Sequence, residues 1–124
     1  MPTPTGPVIV VDDDAAVRSS LKFALEMEGF DVRAYDGGPA LLADAALASG
    51  GCLVVDQQMP GITGIELVGR IRDLRLDIPA ILITGKASDD LRLTAALSGI
   101  RQVLEKPLED SALLDGIRSA LAPG

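Results

Sequence analysis

The segment VIVVDDDAAVR, Val8 to Arg18, runs four apolar residues straight into three adjacent carboxylates. An apolar run without alternation leaves no side for water, so Val8–Val11 predicts a short strand buried on both faces, as in the interior of a parallel sheet. Asp12, Asp13 and Asp14 then stand where that strand surfaces. Like charges held together in a partly dry crevice must be protonated or matched by a cation. A positive partner is therefore expected beside them.

Working outward, apolar residues at helical spacing (Val17, Leu21, Ala24, Leu25) predict a first helix from Ala15 to about Glu28, stopped by Gly29. FDVRAY (30–35) alternates as a second strand, and Gly38–Ala48 is compatible with a helix through Leu41, Leu42, Ala45 and Ala46. CLVVD (52–56) is a third buried strand. Leu67, Val68, Ile71 and Leu74 mark a third helix, and Pro79 precedes a fourth strand, AILIT (80–84). Leu91, Ala95 and Ser98 place the core face of a fourth helix that ends at Gly99. QVLE (102–105) is a fifth strand, and Leu113, Leu114, Ile117 and Leu121 mark a last helix. Strands alternating with helices through short loops imply right-handed crossovers. The expected fold is α/β: a five-stranded parallel sheet, doubly wound as a (βα)5 flavodoxin-like three-layer sandwich, over 8–121 behind a flexible tail at 1–7.

Composition narrows the function. The chain has 124 residues and 48% hydrophobic content, enough for one core. With 18 acidic against 11 basic residues, a net charge of -7 and 2% aromatics, it offers neither the basic face nor the stacking platform of a nucleic-acid binder. Cys52 lies alone in an apolar run, which reads as a small buried hydrophobe in a reducing, cytoplasmic setting. No stretch reads as a signal peptide or a membrane span.

In open parallel sheets ligands gather beyond the carboxyl ends of the strands. Those ends carry Asp12 and Asp13 after the first strand, Asp56 on the third, Thr84 on the fourth, and Lys106-Pro107 after the fifth. Converging carboxylates make a hard oxygen site suited to Mg²⁺, while a lysine and a hydroxyl can orient a carboxylate and hold phosphoryl oxygens. The set suggests phosphoryl transfer to a carboxylate nucleophile. Asp14, at the start of the first helix, reads as a cap rather than a ligand. Gly61 and Gly64 read as parts of the turn into the third helix.

From Val8 to about Leu121 the chain resembles the receiver domains of two-component response regulators. VVDDDAAVR, LVVDQQMPGITGIEL, IPAILITG and LEKPLE fall in that family's order and spacing, with phrasing nearest to its FixJ-like branch. The resemblance implies that Asp56 is the phosphoacceptor, and that Asp12, Asp13, Asp56 and the backbone carbonyl of Gln58 are the Mg²⁺ ligands. It further implies that Thr84 and Lys106 hold the phosphoryl oxygens and that Lys106-Pro107 is cis. A sensor histidine kinase or phosphotransfer protein would be the donor, since the chain has no histidine. Catalysis would be confined to the chain's own phosphorylation and dephosphorylation. A phosphorylation-linked homodimer through helix 4 and strand 5 is a family expectation.

Two departures stand out. Val103 occupies the strand-five position where the family usually carries an aromatic, and a β-branched side chain lacks that ring's swing. Gln58 and Lys86 flank the expected phosphoryl position, where a long amide and a long cation would tune its lifetime. Leu93, Leu97 and Ile100 form a second apolar stripe on helix 4, expected to be exposed as a contact surface. Two other readings are a phosphorylation-independent binding module of the same fold and a Mg²⁺-dependent phosphatase with an aspartyl nucleophile. The second would need a substrate pocket that 124 residues leave little chain to build.

Overall fold

The computed structural model describes residues 6–44, 51–108 and 110–121. Strands β1 (Val8–Val11), β2 (Val32–Tyr35), β3 (Cys52–Asp56), β4 (Ala80–Thr84) and β5 (Gln102–Glu105) alternate with helices α1 (Ala15–Met27), α2 (Gly38–Leu42), α3 (Gly64–Asp73), α4 (Asp89–Leu97) and α5 (Asp110–Leu121). All strand pairs are parallel, in the order β2-β1-β3-β4-β5. This is the doubly wound flavodoxin-like sandwich expected from the sequence.

Strand parity divides the core in two. Ile9, Val11, Leu53, Val55, Ala80 and Leu82 point to the side covered by α2, α3 and α4. Val8, Val10, Cys52, Val54, Ile81 and Ile83 point to the side covered by α1 and α5. The central strands are therefore buried on both faces, which is why their sequences do not alternate. Cys52 is fully buried, and burial pushes its thiol up to about 12, so it behaves as a hydrophobe. On the second side Leu21 and Ala24 face Leu113 and Leu114 across a cleft of about 310 Å³, which leaves Leu21 and Leu114 only partly covered while Leu113 is buried.

Helices α1, α3 and α4 begin where a side chain supplies oxygen for their first N–H groups, whereas α2 starts from Gly37 without a side-chain cap. Asp14 accepts from Ala16 N at 2.9 Å and Val17 N at 3.2 Å, the capping role expected of it. Ser88 accepts from Leu91 N, and Thr63 and Glu66 form a reciprocal capping box on α3.

Three details differ from the periodicity reading. Helix α2 stops at Leu42, short of the expected Gly38–Ala48, with Ala45 and Ala46 lying outside the described residues. Leu74 is 55% exposed because α3 ends one residue before it, and the chain turns through Arg75 at φ 62°, returning Leu76 to the core instead. The α4 stripe is two residues rather than three: Leu93 and Leu97 are exposed, but Ile100 is buried. Gly99, at φ 81°, breaks the helical path, and Ile100 N donates back to Ala95 O, dropping the side chain inward.

The β3–α3 connection is held with no room to spare. A Cβ placed on Gly64 would lie 2.7 Å from Leu82 Cδ1 and 2.8 Å from the Asp56 carbonyl oxygen. Gly64→Ala is expected to lower stability by about 2 kcal/mol through this overpacking. A urea titration checks it: the midpoint should fall at constant slope, and an unchanged midpoint would mean that the contact relaxes freely.

Candidate functional site

Sheet register brings the polar strand ends to one rim. Val11 lies opposite Val55, so Asp12 falls beside Asp56. Asp56 lies opposite Ile83, which sets Thr84 one step beyond, and Thr84 lies opposite Glu105, which sets Lys106 one step beyond that. The rim is the carboxyl end of the sheet, where β1 has β2 on one side and β3 on the other, the switch point at which such folds bind ligands.

Carboxylate oxygens of Asp12, Asp13 and Asp56 lie within 4.8 Å of one another. Asp12 and Asp56 are only 2% and 5% exposed, whereas Asp13 faces solvent. Lys106 Nζ stands 3.6 Å from Asp56 Oδ1, and Gln58 N lies 3.4 Å from the same oxygen. Among the described residues, every polar contact of the Asp56 carboxylate thus falls on Oδ1. The Lys106-Pro107 bond is cis, and Lys106 N donates to Thr84 O at 2.8 Å, joining the last two strand ends. Thr84 is buried; its hydroxyl donates to Lys86 O at 3.2 Å and lies 3.4 Å from Lys86 N, a local tie to the β4–α4 loop.

Burial raises the Asp12 carboxyl above its ordinary 3.8, and the charges of Asp56 and Asp13 push the same way. The Asp14 N–H on Asp12 Oδ1, at 2.9 Å, and the Lys106 charge oppose this. One ammonium facing three clustered carboxylates leaves negative charge uncompensated. Clustered, partly buried oxygen donors with that excess fit a hard divalent cation.

Asp12, Asp13, Asp56, Thr84 and Lys106, all singled out from the sequence, therefore share this rim. Gln58 lies in the loop against Asp56, and its Oε1 approaches Gly85. Lys86 is exposed. Two residues carry contacts that periodicity did not reveal. Gln57 Oε1 accepts from Ile65 N at 2.9 Å, pinning the Asp56 loop to α3, and Arg18 Nη1 donates to Asp12 O at 2.7 Å. The available signal for Arg18 was its sign, since a cation in the opening turns of a helix opposes the dipole and needs a partner.

An open parallel sheet whose switch point carries a carboxylate cluster able to hold a divalent cation, with a lysine beside it, is the arrangement of a phosphoacceptor-type α/β domain. The response regulator receiver domain family matches residues 8–118, and the chain belongs to that family. It is 39% identical over 113 residues to the transcriptional regulatory protein FixJ of Rhizobium meliloti, covering 91% of this chain and 55% of that protein. Identity to FixJ of Bradyrhizobium diazoefficiens is 40% over 119 residues, covering 96% and 58%. The chain thus spans little more than half the length of these relatives. Among solved structures it superposes on FixJ-N with a TM-score of 0.86 at 38% identity, covering 97% of this chain and 94% of that one. It also superposes on the chemotaxis protein CheY4 of Vibrio cholerae with a TM-score of 0.86 at 26% identity, covering 94% and 99%. As a receiver domain it catalyses only its own phosphorylation and dephosphorylation. No helix among the described residues is long and apolar enough to cross a membrane.

The raised Asp12 carboxyl has a stability consequence. As pH rises from 3.8 toward the raised value, the unfolded chain releases this proton before the folded chain does, so the contribution of Asp12 falls across that window and stays unfavourable above it. Asp12→Asn keeps an oxygen for the Asp14 N–H while removing the charge. In chelator at pH 7 it should be about 1 kcal/mol more stable than the parent, with the gain shrinking toward acid pH. Equal stability across the pH series would mean that Lys106 already balances the cluster.

Proposed function

We propose that this chain is the phosphoryl-accepting unit of a two-component phosphorelay, with Asp56 as acceptor in a Mg²⁺-dependent step. The observation that carries this reading is the convergence of Asp12 and Asp13 on Asp56, with the Lys106 ammonium 3.6 Å from its carboxylate. An Asp56 oxygen attacks the phosphorus of a phosphohistidine or a small acyl phosphate. The new O–P bond forms as the donor's P–N or P–O bond breaks, leaving an aspartyl phosphate and releasing the donor group. Asp12, Asp13, Asp56 and the Gln58 carbonyl would hold Mg²⁺, which would supply charge neutralisation at the phosphoryl oxygens. Lys106 turns from the carboxylate toward the phosphoryl group, and the Thr84 hydroxyl exchanges the Lys86 carbonyl for a phosphoryl oxygen. That exchange pulls on the β4–α4 loop.

The donor histidine belongs to a sensor kinase or phosphotransfer protein, since this chain contains none. Switching uses the α4/β5 face, where Leu93 and Leu97 are exposed, to control an output or partner, including a second copy of the chain. With Val103 on β5, the signal passes through the loop after Thr84 instead of a rotating ring. The FixJ relatives are transcriptional regulatory proteins, so this domain would act in the cytoplasm upstream of such an output without itself touching nucleic acid. The unit performing these steps is 8–121; just ahead of it Pro7 is buried and its carbonyl accepts from Cys52 N at 3.0 Å, so the expected tail does not include Pro7, and 1–5 lie outside the described residues.

Incubation with acetyl phosphate and Mg²⁺ should add one phosphoryl group by intact mass, and Asp56→Asn or chelator should abolish the increment. A folded chain that gains no increment from acetyl phosphate or candidate kinases would favour a phosphorylation-independent module. Lys86, exposed two residues past Thr84, flanks the phosphoryl position. Lys86→Ala should speed loss of the phosphoryl group severalfold by opening it to water; an unchanged decay rate would remove Lys86 from this role.

A further inference from the structure

We propose that Arg18 is a positioning residue for the cation site, aiming the Asp12-Asp13 pair by holding the peptide plane between them. The assignment rests on the reading that this site binds a divalent cation. Asp12 is fixed at three atoms: its N–H donates to Tyr35 O at 3.2 Å, its Oδ1 accepts from Asp14 N at 2.9 Å, and its carbonyl oxygen accepts from Arg18 Nη1 at 2.7 Å. The third bond differs from the other two. The Asp12 carbonyl and the Asp13 N–H belong to one rigid amide, so fixing that oxygen fixes the direction in which the chain leaves for Asp13. Asp13 has no other anchor of this kind among the described residues, being exposed and without a hydrogen bond or ion pair of its own there. Its carboxylate nevertheless lies within 4.8 Å of those of Asp12 and Asp56.

Arg18 can hold this plane because α1 holds Arg18. Its backbone N–H donates to Asp14 O at 2.9 Å while Asp14 Oδ1 caps Ala16 and Val17, so helix and ligand loop are wound into one unit. The half-buried side chain then reaches back six residues along the chain. A guanidinium in this place has two opposed effects on a bound cation. As a positive charge it repels the cation, and as a donor it pre-orients two of the cation's ligands. Partners that orient metal ligands commonly change affinity by 10- to 100-fold, whereas a charge at a solvent-exposed rim is strongly screened. Orientation therefore wins, and the two effects predict opposite signs.

The experiment is Mn²⁺ binding followed by the paramagnetic resonance of the free ion, on the parent chain, Arg18→Met and Arg18→Lys. Methionine keeps the apolar stem and removes both donor and charge; lysine restores a charged donor. The Mn²⁺ Kd of Arg18→Met is expected to rise about tenfold, with substantial recovery in Arg18→Lys. Thermal unfolding in chelator ensures that binding is read on folded protein. A tighter Kd in Arg18→Met would make Arg18 a competing charge, and an unchanged Kd would leave it a helix-packing residue; either overturns the proposal. Failure of the parent chain itself to bind Mn²⁺ would instead sink the cation-site reading and this assignment with it.

Discussion

Three carboxylates held within 4.8 Å of one another, two of them nearly out of water, are the constraint on which this rim depends. Such a cluster disfavours the folded chain by itself, and burial of Asp12 sharpens the conflict. The rest of the domain holds it in place. Two apolar layers fix the height of each strand, parallel register sets Asp12 level with Asp56, and the Lys106 ammonium supplies partial compensation. Repulsion stored at a site in this way is available to a ligand of opposite sign.

How much of this could be read from the sequence follows from what each feature requires. Buried parallel strands need only local composition, so VIVV, CLVVD and AILIT announced themselves, and their order with the intervening helices gave the topology. Residues placed by strand ends were equally legible, because Asp12, Asp56 and Thr84 each follow apolar residues directly and Lys106 directly follows the QVLE strand. Asp14 was legible as a cap for the same local reason. Spacing failed where it was carried past a helix end. Ile100 continues the arithmetic of Leu93 and Leu97 but lies beyond Gly99, where the backbone no longer turns at 100° per residue. Leu74 failed likewise, one residue beyond α3.

Contacts from a long side chain to a distant backbone atom leave no periodic trace. Arg18 reaching Asp12 O and Gln57 reaching Ile65 N both depend on rotamers that the fold selects after the helices are in place. Arg72 offers a similar case away from the site, donating to Gly99 O at 2.8 Å and so tying the end of α3 to the turn after α4. These ties set how firmly the loops are held, which pattern reading does not address.

The N-terminus of α3 carries a consequence for where negative charge can be accommodated. Its first N–H groups are already engaged: Gly64 with Gln57 O, Ile65 with Gln57 Oε1, and Glu66 with Thr63 Oγ1. The helix beside Asp56 therefore presents no spare donors and cannot serve as an anion cradle, although such termini often do. Its polarity is spent on the polypeptide, anchoring the loop that follows Asp56. An anion arriving at Asp56 must be met from elsewhere on the rim, where Thr84 ends β4 and Lys106 follows β5. The domain thus divides its labour geometrically: one helix end grips the Asp56 loop, and the ends of β4 and β5 carry the hydroxyl and the ammonium.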